Sequence, residues 1–269
     1  MQESDPRHME PNQESLAARV GRLSAQVVRM HARAGSGHLG GDLSCLPGLA
    51  AAGQAMTADD VILLSKGHSA VALYVVLADI GRLPGAALDS YHADGTSLPG
   101  HPPANRFDAI PFGTGSLGHG LSLASGLALG RRLTGRPGVV YCLTSDGEWE
   151  EGSTWEAFIF ACRHQLSNLV VLVDFNGWQA LGRVQDVAAL GPLADKLAAF
   201  PADVVEIDGD DPETVATAIA GRRDRLTVLV LRTTKGRGLG ELADTLASHY
   251  AVMTADEAEA IAASMEQTR

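Results

Sequence analysis

The chain has 269 residues, 45% of them hydrophobic and 20% charged, enough to bury one large core or two modest ones and unlike a disordered chain. Its 21 Lys and Arg against 32 Asp and Glu leave a net charge of −11, which argues against a broad nucleic-acid or anionic-membrane surface and points to small molecules and proteins as partners. Cys45, Cys142 and Cys162 form neither a disulfide framework nor metal-type spacing, the N-terminus is polar rather than signal-like, and no apolar run approaches a membrane span, so a soluble cytoplasmic protein is expected.

Residues 1–12 read as a polar tail. From 13 to 34, Leu16, Val20, Leu23, Val27 and Met30 recur at helical spacing, and Gly35 ends the pattern ahead of a glycine-rich loop, SGHLGG. A short apolar segment, VILLS, precedes a second special loop, KGHS, and an apolar helix, AVALYVVLADIG. Residues 89–116, with Pro99, Pro102, Pro103 and Pro111, read as irregular backbone lining a site or the surface. GTGSLGHGLSLASGLALGRRL is a glycine-rich turn running into a helix. Then VVYCLTS, LVVLVDF, DVVEID and TVLVLRT recur as β-branched runs separated by helical segments, which predicts an α/β fold with a mainly parallel, doubly wound sheet and helices on both faces.

Asp146 follows VVYCLTS and Asn176 follows LVVLVDF, 176 − 146 = 30 residues later, about one strand-to-strand crossover. Right-handed crossovers bring consecutive strand ends to one edge of a parallel sheet, where ligands sit, so the two side chains are expected to meet. One carboxylate and one neutral oxygen ligand suit a hard magnesium or calcium ion already carrying a diphosphate, and the Trp178 carbonyl supplies a third oxygen. Asp-Gly or Asn-Gly alone reads as a turn. The placement of both after predicted strands, with Glu151 and Glu156 in the intervening helix, favours the site.

This segment resembles the thiamine diphosphate motif, Gly-Asp-Gly followed one crossover later by Asn. The ordered series SGHLGG, LSKGHSAVALY, LPGHP, TGSLGHGLSLASGLALG, SDGEWEEGSTWEA, VDFNGWQALG and TTKGRG is similar to the N-terminal half of transketolases, from about residue 13 to 250. The resemblance implies a single thiamine-diphosphate-binding domain over 13–269. It makes Asp146, Asn176 and the Trp178 carbonyl the metal ligands, and Gly147 the point of close approach to the diphosphate. Gly115, Leu117 and His68 lie against the cofactor. Lys235 either balances phosphate charge or is a solvated lysine in a surface turn.

His38, His68, His101 and His249 coincide with positions lining the transketolase substrate channel, and cleaving a ketose carbon–carbon bond needs groups that move protons near neutral pH. His68 and His249 would contact the reacting oxygens, while His38 and His101 orient substrate hydroxyls, with His101 nearest the two-carbon fragment. His8, His31, His92 and His164 read as structural or exposed. The sequence departs from the family at Ser145 (commonly Gly), Leu39 (Pro), His119 (Gln) and Tyr250 (Gly), the last two close to the expected channel.

The implied protein is the diphosphate-binding subunit of a split transketolase-like enzyme, moving a two-carbon ketol unit from a ketose to an aldose. Its expected partner is a C-terminal subunit carrying the thiamine-ring domain, in a heterotetramer, acting on a sugar or sugar phosphate. Glu151 and Glu156 either make subunit contacts or are ordinary exposed helix charges. Two alternatives are a thiamine-dependent component passing an acyl unit to a lipoyl or carrier-protein thiol, and a catalytically silent scaffold.

Overall fold

The strands in chain order are β1 (Val61–Leu64), β2 (Val140–Ser145), β3 (Leu169–Phe175), β4 (Trp178–Gln179), β5 (Gly182–Arg183), β6 (Asp203–Asp208) and β7 (Thr227–Arg232). The structure, a computed structural model, describes residues 14–267, so the tail read over 1–12 and His8 lie outside the described residues. Five strands form one parallel sheet in the order β1-β2-β3-β7-β6, and β4 and β5 make a small antiparallel hairpin.

Side chains alternate across the sheet with the two-residue period of a strand. Tyr141, Leu143, Val170, Leu172, Leu229 and Leu231 are buried under α1 (Leu16–Ala34), α2 (Leu39–Ala55), α3 (Ala70–Asp79), α8 (Pro212–Ala220) and α9 (Ala255–Glu266). Val140, Cys142, Val171, Val173, Val228 and Val230 are buried under α4 (Gly120–Leu133), α5 (Gly152–Arg163) and α7 (Leu193–Ala198). A single turn, α6 (Val184–Val187), follows the hairpin. Both faces of the sheet are therefore covered, as near-continuous apolar strands require. The edge strand β6 is the exception among the β-branched runs, with Val205 46% exposed.

The chain leaves β2 and β3 toward one layer of helices and leaves β1 and β7 toward the other. A crevice opens between these departures at the carboxyl edge.

α1 begins at Ser15, whose hydroxyl accepts from Ala18 N, and ends at Gly35 in the left-handed region (φ 61°). The next element departs from the sequence reading. SGHLGG is loop only through His38, and from Leu39 the chain is helical, with every residue from Leu39 to Gly53 buried. A helix buried all round has no polar face and so no readable period. Its glycines mark close approaches: a Cβ on Gly40 would meet the Ser248 carbonyl oxygen at 2.6 Å. Among the described residues no helix is long and apolar enough to cross a membrane.

Candidate active site

Four strand ends converge on one cavity of about 260 Å³, with Lys66 beyond β1, Asp146 beyond β2, Asn176 beyond β3 and Lys235 beyond β7. Asp146 is 1% exposed, and its two oxygens accept from Gly147 N at 2.9 Å and Gly177 N at 2.6 Å. The first residue after β3 is held in turn. Asn176 donates its amide to Asp174 Oδ2 (3.1 Å) and Ser44 Oγ (3.3 Å), while its oxygen accepts from Trp178 N (3.0 Å). The thirty-residue spacing thus brings Asp146 and Asn176 to one cavity, and Trp178 lines it with them.

Sequence reasoning missed what lies beneath. Lys66 is 1% exposed, with its ammonium 2.6 Å from the fully buried carboxylate of Asp174. Burial opposes the Lys66 charge, and Asp174 more than offsets it, holding its pKa above the ordinary lysine value. Glu148 is also fully buried, accepting from Gly118 N, Ser145 N and the Ser65 hydroxyl, so it ties the ends of β1 and β2 to the glycine-rich turn. Only the KGHS loop carried a signal for Lys66. Asp174 hides inside an apolar strand and Glu148 in an acidic run.

Lys235 lies at the same cavity. It is 2% exposed, and the only hydrogen-bond partner of its ammonium among the described residues is His249, so it is not a solvated surface lysine. Burial and Lys66 push its pKa down to about 8. Burial raises the Asp146 carboxyl to about 7, with Asp174 adding to the effect.

The four histidines cluster. The His38 ring lies 5.0 Å from His68, 5.1 Å from His249 and 6.4 Å from His101, centroid to centroid. Burial drives His38 down to about 4 and His249 to about 4, the latter helped by Lys235, and pushes His68 well below its usual value. All three are neutral imidazoles at neutral pH. Gly115 lets His101 approach, since a Cβ there would stand 3.0 Å from the His101 ring, and Leu117 lines the cavity with Gly147.

The family departures separate. Tyr250 stands at the mouth, 62% exposed, 4.8 Å from the His38 ring and 4.5 Å from His249. His119 is exposed at the start of α4 and does not line the cavity. Leu39 is buried at the first turn of α2 and Ser145 closes β2. Glu151 and Glu156 are both exposed, but Glu151 precedes α5 as its N-cap in extended conformation rather than lying within the helix. Of the other histidines, His92 is exposed, His164 stacks on Phe160, and His31 is buried under the loop that carries His38.

This donor set fits a metal-bound diphosphate. A buried ammonium with no carboxylate paired to it among the described residues calls for an anion. No group of three or more His, Cys, Asp or Glu is arranged as a metal shell among the described residues. Asp146, the Asn176 amide oxygen and the Trp178 carbonyl need none, because phosphate oxygens would bring the remaining negative charge.

A family model described as transketolase, thiamine diphosphate binding domain, matches residues 49–266. The chain is 36% identical to the 6-deoxy-6-sulfo-D-fructose transketolase subunit SqwG of Clostridium sp. (strain MSTE9), over 87% of this chain and 90% of that protein. It is 33% identical to an apulose-4-phosphate transketolase subunit of Phocaeicola vulgatus, over 91% of this chain and 92% of that one. Among solved structures, a transketolase variant from Pichia stipitis superposes with a TM-score of 0.86 at 26% identity, covering 93% of this chain. The chain spans only 41% of that transketolase.

Proposed function

We propose a function from one premise: the chain belongs to the transketolase family, as its thiamine diphosphate binding domain. It is a transketolase-like transferase subunit that moves a two-carbon ketol unit from a ketose to an aldose and works with a second subunit carrying the thiamine-ring domain. The observation that carries this reading is the convergence of Asp146, Asn176 and the unneutralised Lys235 at the carboxyl edge. The single sheet with both faces covered supports treating the chain from residue 13 onward as one domain. Three buried free cysteines suit a reducing, cytoplasmic setting.

Asp146, Asn176 and the Trp178 carbonyl hold the metal, with magnesium the ion we favour, and Gly147 lets the diphosphate approach the backbone. Lys235 neutralises phosphate charge in a buried setting, where a cation counts for more than in water. When bound, thiamine diphosphate supplies the electron sink for breaking the bond beside the ketose carbonyl. The histidines handle protons and position. At neutral pH the Lys235 ammonium can only donate to His249 Nδ1, so the His249 proton sits on Nε2. His249 and the neutral His68 are then suited to a hydrogen bond with a substrate oxygen, and His38 and His101 orient hydroxyls nearer the mouth. Tyr250 narrows that mouth. Glu151 and Glu156 face the partner in a heterotetramer.

The test is calorimetric titration with thiamine diphosphate and magnesium, together with a ketol-transfer assay of the chain mixed with a ring-domain subunit. No magnesium-dependent binding, alone or mixed, would sink the reading.

A further inference from the structure

We propose that His31 and Asp42, buried outside the cavity lining, are positioning residues that hold His38 in place through a doubly protonated His31. The inference rests on the proposed role of His38.

The protonation state follows from who faces whom. His31 Nε2 lies 2.8 Å from Asp42 Oδ2, and Nδ1 lies 3.0 Å from the Ser36 carbonyl oxygen. A carbonyl can only accept, and with the Asp42 carboxyl group also accepting, both ring nitrogens donate, an arrangement that only the imidazolium provides. The Asp42 carboxylate is engaged on its other side as well, accepting from Ala72 N at 2.8 Å. Among the described residues the remaining titratable neighbours include Cys45, whose thiol donates to the Asp42 carbonyl at 3.5 Å and is kept protonated by burial, Tyr91, whose ring meets His31 edge-on at 6.2 Å, Tyr74 behind it, and His38 beyond the loop. Burial raises both tyrosines and lowers His38, so all three are neutral and none supplies a competing charge. Burial alone would strip His31 of its proton, and Asp42 more than offsets that, raising its pKa.

The pair joins three pieces of chain. His31 is in the last turn of α1, Ser36 is in the loop, and Asp42 is in the first turn of α2. Between them the loop lies flat on the imidazolium: Gly37 takes φ 122°, and a Cβ there would overlap the His31 ring. His38 is the next residue. Its carbonyl accepts from Gly41 N and Asp42 N, so the first turn of α2 and the loop are fixed as one unit with the His38 ring leaning over the cavity. Charge-assisted hydrogen bonds on both sides of one ring make that unit stiffer than a glycine-rich loop would otherwise be.

Two measurements test this. Long-range proton–nitrogen spectra of the 15N-labelled full chain at pH 7.5 should show one imidazole protonated on both nitrogens, its signal absent in His31→Gln. A spectrum in which the His31 ring is neutral overturns the proposal. The second uses the double variant His31→Phe/Asp42→Asn, which keeps the ring volume and the bond to Ala72 N without stranding a buried charge. In the assembled enzyme its kcat should fall about tenfold at unchanged cofactor Kd, since small misplacements of a reacting group cost up to ~100-fold. Introduced into a His38→Ala background, the same pair of changes should have no further effect. Wild-type kcat in the double variant, or an undiminished fall in the His38→Ala background, overturns the positioning role. Wild-type kcat in His38→Ala itself would sink the reading of the site and the positioning role with it, leaving the imidazolium to stand or fall on the spectra.

Discussion

Lys235 Nζ lies 2.8 Å from His249 Nδ1, a buried cation against a neutral imidazole with no carboxylate in the pair. The contact binds the diphosphate end of the site to the substrate end. In the proposed reading one group neutralises phosphate and the other addresses sugar; burial and then Lys235 lower the proton affinity of His249, and the ammonium fixes its tautomer.

Replacing Lys235 by Met should therefore damage both ends. Loss of a charged hydrogen-bonding group costs about 1.5–3 kcal/mol, or roughly 10- to 150-fold in cofactor Kd. At saturating cofactor a kcat defect should remain, because His249 has lost the donor that fixes its proton on Nε2. Calorimetry and steady-state rates measure the two parts separately, and an unchanged Kd would remove Lys235 from the diphosphate site.

Asp146→Ala should abolish the magnesium-dependent thermal shift without unfolding the chain. The carboxylate is buried but lines the cavity and not the apolar core, and its partners Gly147 N and Gly177 N belong to half-buried residues. For the wild type, cofactor at about a hundred times its Kd should add ~2.7 kcal/mol of stability. A variant that shifts as the wild type does would show that the metal sits elsewhere.

How far the site was legible depended on where each residue stands in its element. Asp146 and Asn176 could be read because both are the first residues after apolar strands, and a parallel sheet sends all its carboxyl ends to one edge. α1 could be read because one stripe is apolar and Gly35 stops it. α2 could not, because its burial erases the polar face that a periodicity needs. The same reason concealed Asp174 and Lys66. A buried ion pair looks in sequence like one acid in a strand and one base in a loop, and only the fold puts them 2.6 Å apart. His31 reads in the sequence only as structural or exposed, because the two groups that face its ring nitrogens come from other segments.

The glycines of α2 give a contrast that tests the packing. Gly40→Ala would drive a methyl to 2.6 Å from the backbone oxygen of Ser248, next to His249, and backbone cannot rotate away. Overpacking of this kind costs typically 1–3 kcal/mol, and here it should also lower turnover by displacing His249. Gly48→Ala meets only the end of the Leu231 side chain, at 2.7 Å. Repacking that methyl costs about 1 kcal/mol, offset by the ~1 kcal/mol that Ala gains over Gly in a helix. Urea denaturation should rank Gly40→Ala well below Gly48→Ala, and the reverse order would contradict the close approach.

Acid sensitivity should carry a histidine component of definite sign. His38 and His249 titrate at about 4 in the folded chain, below the ordinary histidine value of 6.5, so between those pH values the unfolded chain binds more protons and stability falls as pH falls. Asp146, raised to about 7, acts oppositely over an overlapping range, so the total slope mixes both signs. The difference between wild type and His38→Gln/His249→Gln removes the carboxylate part. The wild type should lose more stability than the variant between pH 7 and pH 5, read as urea midpoints, and equal losses would mean these imidazoles are not desolvated.

The final prediction is that ketol transfer appears only when this chain is mixed with a ring-domain subunit. The chain spans 41% of a solved transketolase, while two relatives of matching length carry the name of a transketolase subunit. Exposed apolar side chains on α4 and α5 are what a missing neighbour would leave. On α5, Glu156 and Phe160 stand one turn apart on the same face, Phe160 is 39% and Ile159 48% exposed, and Leu133 at the end of α4 is 75% exposed. A central aromatic in such an interface is worth ~2 kcal/mol or more, about 30-fold in affinity for the partner. Phe160→Asp should thus raise the partner concentration needed for half-maximal activity by at least that factor while leaving the isolated chain folded. Glu156→Lys, a charge on the same face, should mainly change the salt dependence of assembly. Full activity from the chain alone, or a Phe160→Asp titration superimposable on wild type, would place the partner on a different surface or dispense with it.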